Sequence, residues 1–363
     1  MRAIVGRMSE TTARATIAMV GNPTSDNGRG AKVQDRVFDL LSDAGMRHGF
    51  DVIDLTGTSF DDSLANAREH RDRYSHLVVV GGDGMIALGA NAVGGTGIPL
   101  GIVAIGSGND FARGLRLPVN RIETAVDGIA GAIVRGTHLD VDMGCVAPSQ
   151  GQSHSERRYY AGMLSCGLDA SINARANRSR LPNGSVRYLA AVLVELTRLK
   201  RYGYHVTATL ADGSVEEHDL VTPLLTVANS RHIGGGIEVS PYSCFDDGLL
   251  DLVWLDHVPS LGEIAAVLPH LYDGRLLSSR LFGWRRVRGV EITRASEGAE
   301  PPVLMADGEV VGRLPVRVEV CDRSLRVLAP PAVAEWHARR ASERAEAAIA
   351  RDGRDPITGD FKE

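Results

Sequence analysis

The stretch "VVVGGDGMIALG", residues 78–89, decides how this chain is read. With Leu77 before it, Val78–Val80 forms a short apolar run rich in β-branched residues, the pattern of a strand buried on both faces and so of a parallel sheet. Gly81, Gly82 and Gly84 follow, and glycine permits backbone angles and close approaches that a β-carbon blocks. From Gly84 to Val93 the apolar spacing turns helical. The stretch therefore predicts strand, tight turn and helix, with Asp83 on the turn at the carboxyl end of a strand, where open α/β sheets bind ligands.

The N-terminal half repeats this alternation. "ATIAMV" (15–20), "DVIDL" (51–55) and "PLGIVAIG" (99–106) are strand-like. Between them lie helical patterns at 30–49, 59–73, 84–93, 109–115 and 121–133, which implies a doubly wound α/β domain with a parallel sheet over 15–137. Residues 1–14 are polar and patternless and are expected to be flexible. After about residue 137 the texture changes to strands such as "HLDVDMGCV", "YHVTATLADGSVEEHDL", "GLLDLVWL" and "VRVEV", several joined by turn-forming Asp-Gly pairs. A mostly β domain, a sandwich, is expected over 138–330, with helices near 170–178, 187–201 and 261–271. Residues 331–363 are expected to carry a helix from Val333 to Ala350 and then a disordered tail.

Composition narrows the function. The chain has 363 residues, 44% hydrophobic and 23% charged, with a net charge of -5, which fits a globular protein of about two domains and gives no footprint for nucleic acid. Cys145, Cys166, Cys244 and Cys321 are widely spaced without a C-x-x-C pair, as in a cytosolic protein with reduced, buried thiols. No stretch reaches the roughly 18 apolar residues of a membrane span, so membrane contact is expected to be peripheral. Lys32, Lys200 and Lys362 are the only lysines, and neither the Walker A loop nor the kinase V-A-I-K motif occurs. G-x-G-x-x-G and G-x-S-x-G are also absent, which lowers dehydrogenase and hydrolase readings.

Five segments could carry chemistry. "GNPTSDNGRG" (21–30) suits backbone N–H groups aimed at a phosphate, though an ordinary strand-to-helix turn explains it equally well. "GGDG" adds an acceptor in Asp83 able to touch a sugar hydroxyl or Mg²⁺. "IGSGNDFARG" (105–114) repeats the arrangement one strand later, with Asn109 and Asp110 at a helix start. They could be plain caps, but two glycine-rich turns ending consecutive strands would lie side by side in one crevice. "SRHIGGGIEVSPYSCFDDGLLDL" (230–252) and "MADGEVVGRLP" (305–315) bring acids from the second domain. Asp247-Gly248 and Asp307-Gly308 are each readable as a hairpin turn; Glu309, two residues after Asp307, would share one side of a strand with it. His232 has no second histidine at ligand spacing and reads as structural or substrate-contacting.

In the order "NPTS", "GGDG", "GSGNDFAR", "NSRHIGGG", "DDGLLDL", "ADGE", residues 15–330 resemble the diacylglycerol kinase catalytic-domain family of soluble bacterial lipid kinases, related to sphingosine kinases. The resemblance implies a Rossmann-like N-terminal domain and a C-terminal β-sandwich with the active site between them. It implies ATP and Mg²⁺ as cofactors, ATP contacts at Asn22, Ser25, Gly81, Gly82, Asp83, Gly84, Asn109 and Asp110, and Asp307 as the base for a lipid hydroxyl with Glu309 beside it. It also implies a structural Mg²⁺ on Asp247 and the Leu249 carbonyl. Met85 departs from the family's "GGDGT", so a hydroxyl contact is missing there. The acceptor implied is diacylglycerol, giving phosphatidic acid. NAD kinase, which also uses "GGDG", and a nucleotide-binding regulator without turnover are the alternatives.

A lipid acceptor implies access to a bilayer, with the protein cytoplasmic and peripheral to the inner membrane face. Two basic segments interleaved with apolar residues, 175–201 and 275–288, fit such a surface, against the plainer reading of solvated faces. Nothing in the sequence selects a monomer over a homodimer.

Overall fold

Adjacent residues of the first strand serve opposite layers, and this organises the N-terminal lobe. In the computed structural model, which describes residues 14–22, 29–106, 108–149, 157–167, 200–233 and 236–362, Ile17 and Met19 of β1 (Ala15–Gly21) face one way and Ala18 and Val20 the other, all fully buried. One face packs on α1 (Arg29–His48) through Val37, Leu41 and Ala44, and on α5 (Ile122–Arg135) through Val126 and Ile129. The other packs on α2 (Phe60–Glu69) and α3 (Asp83–Val93) through Ala67, Ile86, Leu88 and Ala90. Strands buried on both faces suit parallel pairing. The pairs are β1 with β2 (Phe50–Asp54), β1 with β3 (His76–Gly81), and β3 with β4 (Leu100–Ala104), all parallel.

The β-rich lobe is antiparallel. Its strands β10 (Leu225–Ala228), β13 (Leu250–Leu255), β14 (Phe282–Arg294) and β17 (Val316–Leu328) follow one another in the sheet. Beyond β10 the order continues through β7 (Met163–Ser165) to β15 (Leu304–Ala306) and β16 (Glu309–Gly312). The two lobes share a strand: β17 pairs with β14 near its start and, at Val327, with Leu100 of β4 in parallel. Ala329 and Leu325 thereby enter the first lobe's core.

The helix expected at 333–350 spans α7 (Pro331–Arg351). The tail after it differs from the expected disorder. The Arg354 guanidinium, almost fully buried, donates to the carbonyls of Leu277 (2.6 Å), Gly359 (2.7 Å) and Phe282 (2.7 Å), and Tyr242 Oη donates to Asp352 at 2.8 Å. Polar residues hid this docking, because the anchor is a charged group satisfied by backbone carbonyls rather than an apolar stripe. The helices expected near 170–178 and 187–201 lie outside the described residues, apart from Lys200 and Arg201; "LGEIAAV" forms α6 (Leu261–Val267).

Candidate active site

The two glycine turns end neighbouring parallel strands and touch backbone to backbone. A β-carbon on Gly106 would come within 2.4 Å of the Gly82 Cα, so no other residue fits without parting the turns. Asn109 holds the second turn in a left-handed conformation (φ 60°): its Nδ2 donates to the Gly106 carbonyl (2.6 Å) and its Oδ1 accepts from the Gly106 N–H (2.9 Å). Asn109 is fully buried and braces the loop. Asp83, the first residue of α3, reaches across and accepts the Asn109 N–H on Oδ2 at 2.7 Å. Asp110 begins the short helix α4 (Asp110–Gly114) beside it.

Asp83 Oδ1 and Asp110 Oδ1 are buried and have no hydrogen-bond partner. Burial pushes the Asp83 carboxyl up, and burial followed by the Asp83 charge pushes Asp110 up to about 6. Two unpartnered carboxylate oxygens in one recess are costly unless a donor or cation joins them. The chemistry of this pair fits a cation-bearing ligand.

Across from these turns, the other lobe presents Asp307. Asp307 (φ 50°) and Gly308 (φ 86°) form the two-residue turn between β15 and β16, the left-handed pair that an Asp-Gly hairpin favours. Asp307 and Glu309 therefore do not share one side of a strand, as their spacing suggested; Glu309 starts the returning strand, opposite Ala306. Three backbone N–H groups fix the Asp307 carboxylate: Ala161 to Oδ2 (2.7 Å), Gly162 to Oδ1 (2.8 Å) and Met163 to Oδ1 (3.1 Å). A β-carbon at 162 would sit 2.6 Å from Oδ1 and push the carboxylate off its donors. Burial pushes Asp307 up to about 6, helped by the Asp83 charge and opposed by those amides. Glu309 reaches over the start of α3, its Oε1 3.7 Å from where a β-carbon on Gly84 would stand, and burial raises its carboxyl. Carboxylates from both lobes thus meet over the GGDG turn.

The remaining expected residues divide. Gly81 and Gly82 form the turn, and Asn22 lies exposed at the end of β1; Ser25 lies outside the described residues. Met85 is buried in the first lobe's core beside Gly81, so it faces the sheet and not the site. His232 is paired across a hairpin with Glu238 (3.3 Å) and acts electrostatically on Asp110.

The Asp247 turn does not fit the expected divalent ion. Asp247 Oδ1 accepts the Leu249 N–H (3.1 Å) and Oδ2 holds the Arg286 guanidinium. Among the described residues no cluster of three or more His, Cys, Asp or Glu could hold a metal. The segment 275–288 also differs from the expected interfacial surface. Leu276, Leu277, Leu281, Phe282 and Trp284 are buried, and Arg285 and Arg286 make ion pairs with side chains only 12% and 14% exposed. Almost all of 175–201 lies outside the described residues, and no described helix is long and apolar enough to cross a membrane.

Two braces escaped the sequence reading. Fully buried Asp142 accepts the N–H groups of Gly248 and Arg323, each at 2.7 Å. Asn229 Nδ2 donates to the carbonyls of Asp142 and Ala161, each at 2.9 Å, tying that acid to the segment that grips Asp307. In "LDVDM" (139–143) Asp142 takes the polar phase of the alternation just as Asp140 does, so no local signal marked it as buried.

Comparison with known proteins bears on the family and the fold. The diacylglycerol kinase catalytic domain matches residues 16–146, and the YegS C-terminal NAD kinase beta sandwich-like domain matches residues 162–329. The chain is 28% identical over 319 residues to a diacylglycerol kinase of Mycobacterium tuberculosis, covering 86% of this chain and 95% of that one. It is 28% identical over 269 residues to a probable lipid kinase YegS-like protein of Xanthomonas campestris, covering 71% and 80%. A solved diacylglycerol kinase structure from Bacillus anthracis superposes with a TM-score of 0.59 at 19% identity, over 88% of this chain and 98% of that one, which speaks to the fold.

Proposed function

The chain belongs to the diacylglycerol kinase catalytic-domain family, and from that premise we propose that it transfers the γ-phosphoryl group of ATP to the free hydroxyl of diacylglycerol, giving phosphatidic acid. The observation that carries this reading is the meeting of the Asp83–Asp110 recess with the Asp307 turn, one from each lobe. Phosphoryl transfer asks for positioning and charge control more than for covalent help. The glycine turns let phosphates approach the backbone, and the unpartnered oxygens of Asp83 and Asp110 suit the Mg²⁺ that accompanies the nucleotide. That ion, when bound with ATP, neutralises phosphate charge.

Asp307 is held so that its carboxylate cannot turn away. As the lipid oxygen bonds to phosphorus and the bond to the β,γ-bridging oxygen breaks, Asp307 accepts the hydroxyl proton and ADP leaves. A base near pH 6 suits this late proton transfer at neutral pH. Glu309, over the start of α3, supplies a second acceptor beside Asp307 that would orient the hydroxyl.

The test supplies purified protein with γ-labelled ATP and Mg²⁺, and offers diacylglycerol, ceramide and phosphatidylglycerol in mixed micelles, with NAD as a separate acceptor. Label is expected in phosphatidic acid. Label in another lipid would change the acceptor and keep the chemistry, whereas label confined to NAD would refute the reading.

A further inference from the structure

The turn Asp247-Gly248-Leu249 sits among buried acids whose oxygens are already engaged, with exposed Asp322 at its rim, 3.8 Å from where a β-carbon on Gly248 would stand. Asp247 accepts Leu249 N–H and Arg286. Asp251, fully enclosed, accepts Trp284 Nε1 on Oδ1 and Ser243 Oγ on Oδ2, both at 2.6 Å. Asp142 accepts Gly248 and Arg323 N–H groups. A hard divalent cation needs six or so oxygen ligands of its own, with near-octahedral geometry for Mg²⁺. Here Asp247 already has a cation of its own: Arg286 lies directly opposite Asp251 in the β13–β14 ladder, and its guanidinium runs along that face to Asp247. The ion pair is recessed, with side chains 14% and 17% exposed, and arginine cannot lose its proton in a protein.

We infer that Arg286 is a built-in cation that replaces a divalent metal at the Asp247 turn, so that the β-rich lobe is assembled without a structural metal. The guanidinium is tethered to β14, so it neither dissociates nor competes with the nucleotide for Mg²⁺. The divalent cation required by the protein is then only the one that arrives with ATP. This conclusion depends on the Arg286 geometry and not on which lipid is the acceptor.

The test reads metal content and thermal unfolding without nucleotide or lipid, so its outcome is separate from that of the kinase assay. Wild-type protein dialysed against EDTA is expected to retain no stoichiometric metal, and in an Asp83→Asn background, which removes the Asp83–Asp110 recess as a second cation site, to show the same unfolding midpoint with and without millimolar Mg²⁺. Arg286→Met added to that background should unfold several degrees lower, and Mg²⁺ should raise its midpoint where it leaves the background unmoved. If that variant fails to fold, Arg286→Met combined with Asp247→Asn removes both charges and should fold without a response to Mg²⁺. An equivalent of tightly held metal in the wild type, a midpoint of the Asp83→Asn background lowered by EDTA and restored by Mg²⁺, or an Arg286→Met protein as stable as that background would each overturn the inference.

Discussion

Among single residues, Asp307 and its three amide donors matter most to the chemistry. Asp307→Asn should lower kcat by roughly 10²–10⁴, the usual range for a general base. It also sets an amide nitrogen against at least one backbone N–H, so the unfolding free energy should fall by about 1–3 kcal/mol, read from denaturant unfolding. The pH profile follows from the same carboxyl. Because the base must be ionised and burial pushes it up to about 6, kcat/KM should fall as pH drops through about 6 and level off above it. A profile flat from pH 5 to 8 would assign the proton elsewhere.

Among elements, the paired glycine turns matter most. Gly106→Ala would drive a methyl group against the Gly82 Cα and part the two turns. The expected result is weakened ATP binding, measured by titration calorimetry, with the β-rich lobe still folded. These turns were legible in the sequence because strand, glycines and helix are contiguous, and each cue acts within a few residues. The Asp-Gly at 307–308 was legible both as a turn and as a site; the structure shows the turn, and the base is the role proposed for it. What was not legible depended on partners far apart in sequence, as in Asp142 with Gly248, Asp247 with Arg286, and Arg354 with Leu277. Arg285 and Arg286 looked like a surface charge run, since nothing local reveals that Glu216 and Asp247 neutralise them. Removing the tail tests this at the same scale. Arg354→Ala leaves three buried carbonyls without their donor, and a loss on the order of 3 kcal/mol or more is expected in denaturant unfolding.

For the whole molecule, β17 ties the two lobes together and α7 extends the tie. Val333 packs on the first lobe's core and Ile349 on the second's, while His337 hydrogen-bonds the Leu115 carbonyl. The lobes meet where acids accumulate, and that has a cost in stability. Asp110, Asp142 and Asp307 are each pushed up to about 6 by burial, above the value they take when unfolded. Between the unfolded and folded values the folded state binds more protons, so stability falls as pH rises through that window. The ligand-free protein should therefore melt at a higher temperature at pH 5.5 than at pH 7.5. The central claim, that the two lobes together make a lipid kinase with Asp307 as base, is tested most directly by single-turnover transfer. Labelled ATP, Mg²⁺ and diacylglycerol micelles would be mixed with wild-type protein and with folded Asp307→Asn. The account predicts labelled phosphatidic acid from the wild type and a transfer step slowed at least a hundredfold in the variant, with ATP still bound; transfer at equal rates in both, or no lipid labelled by either, would contradict it.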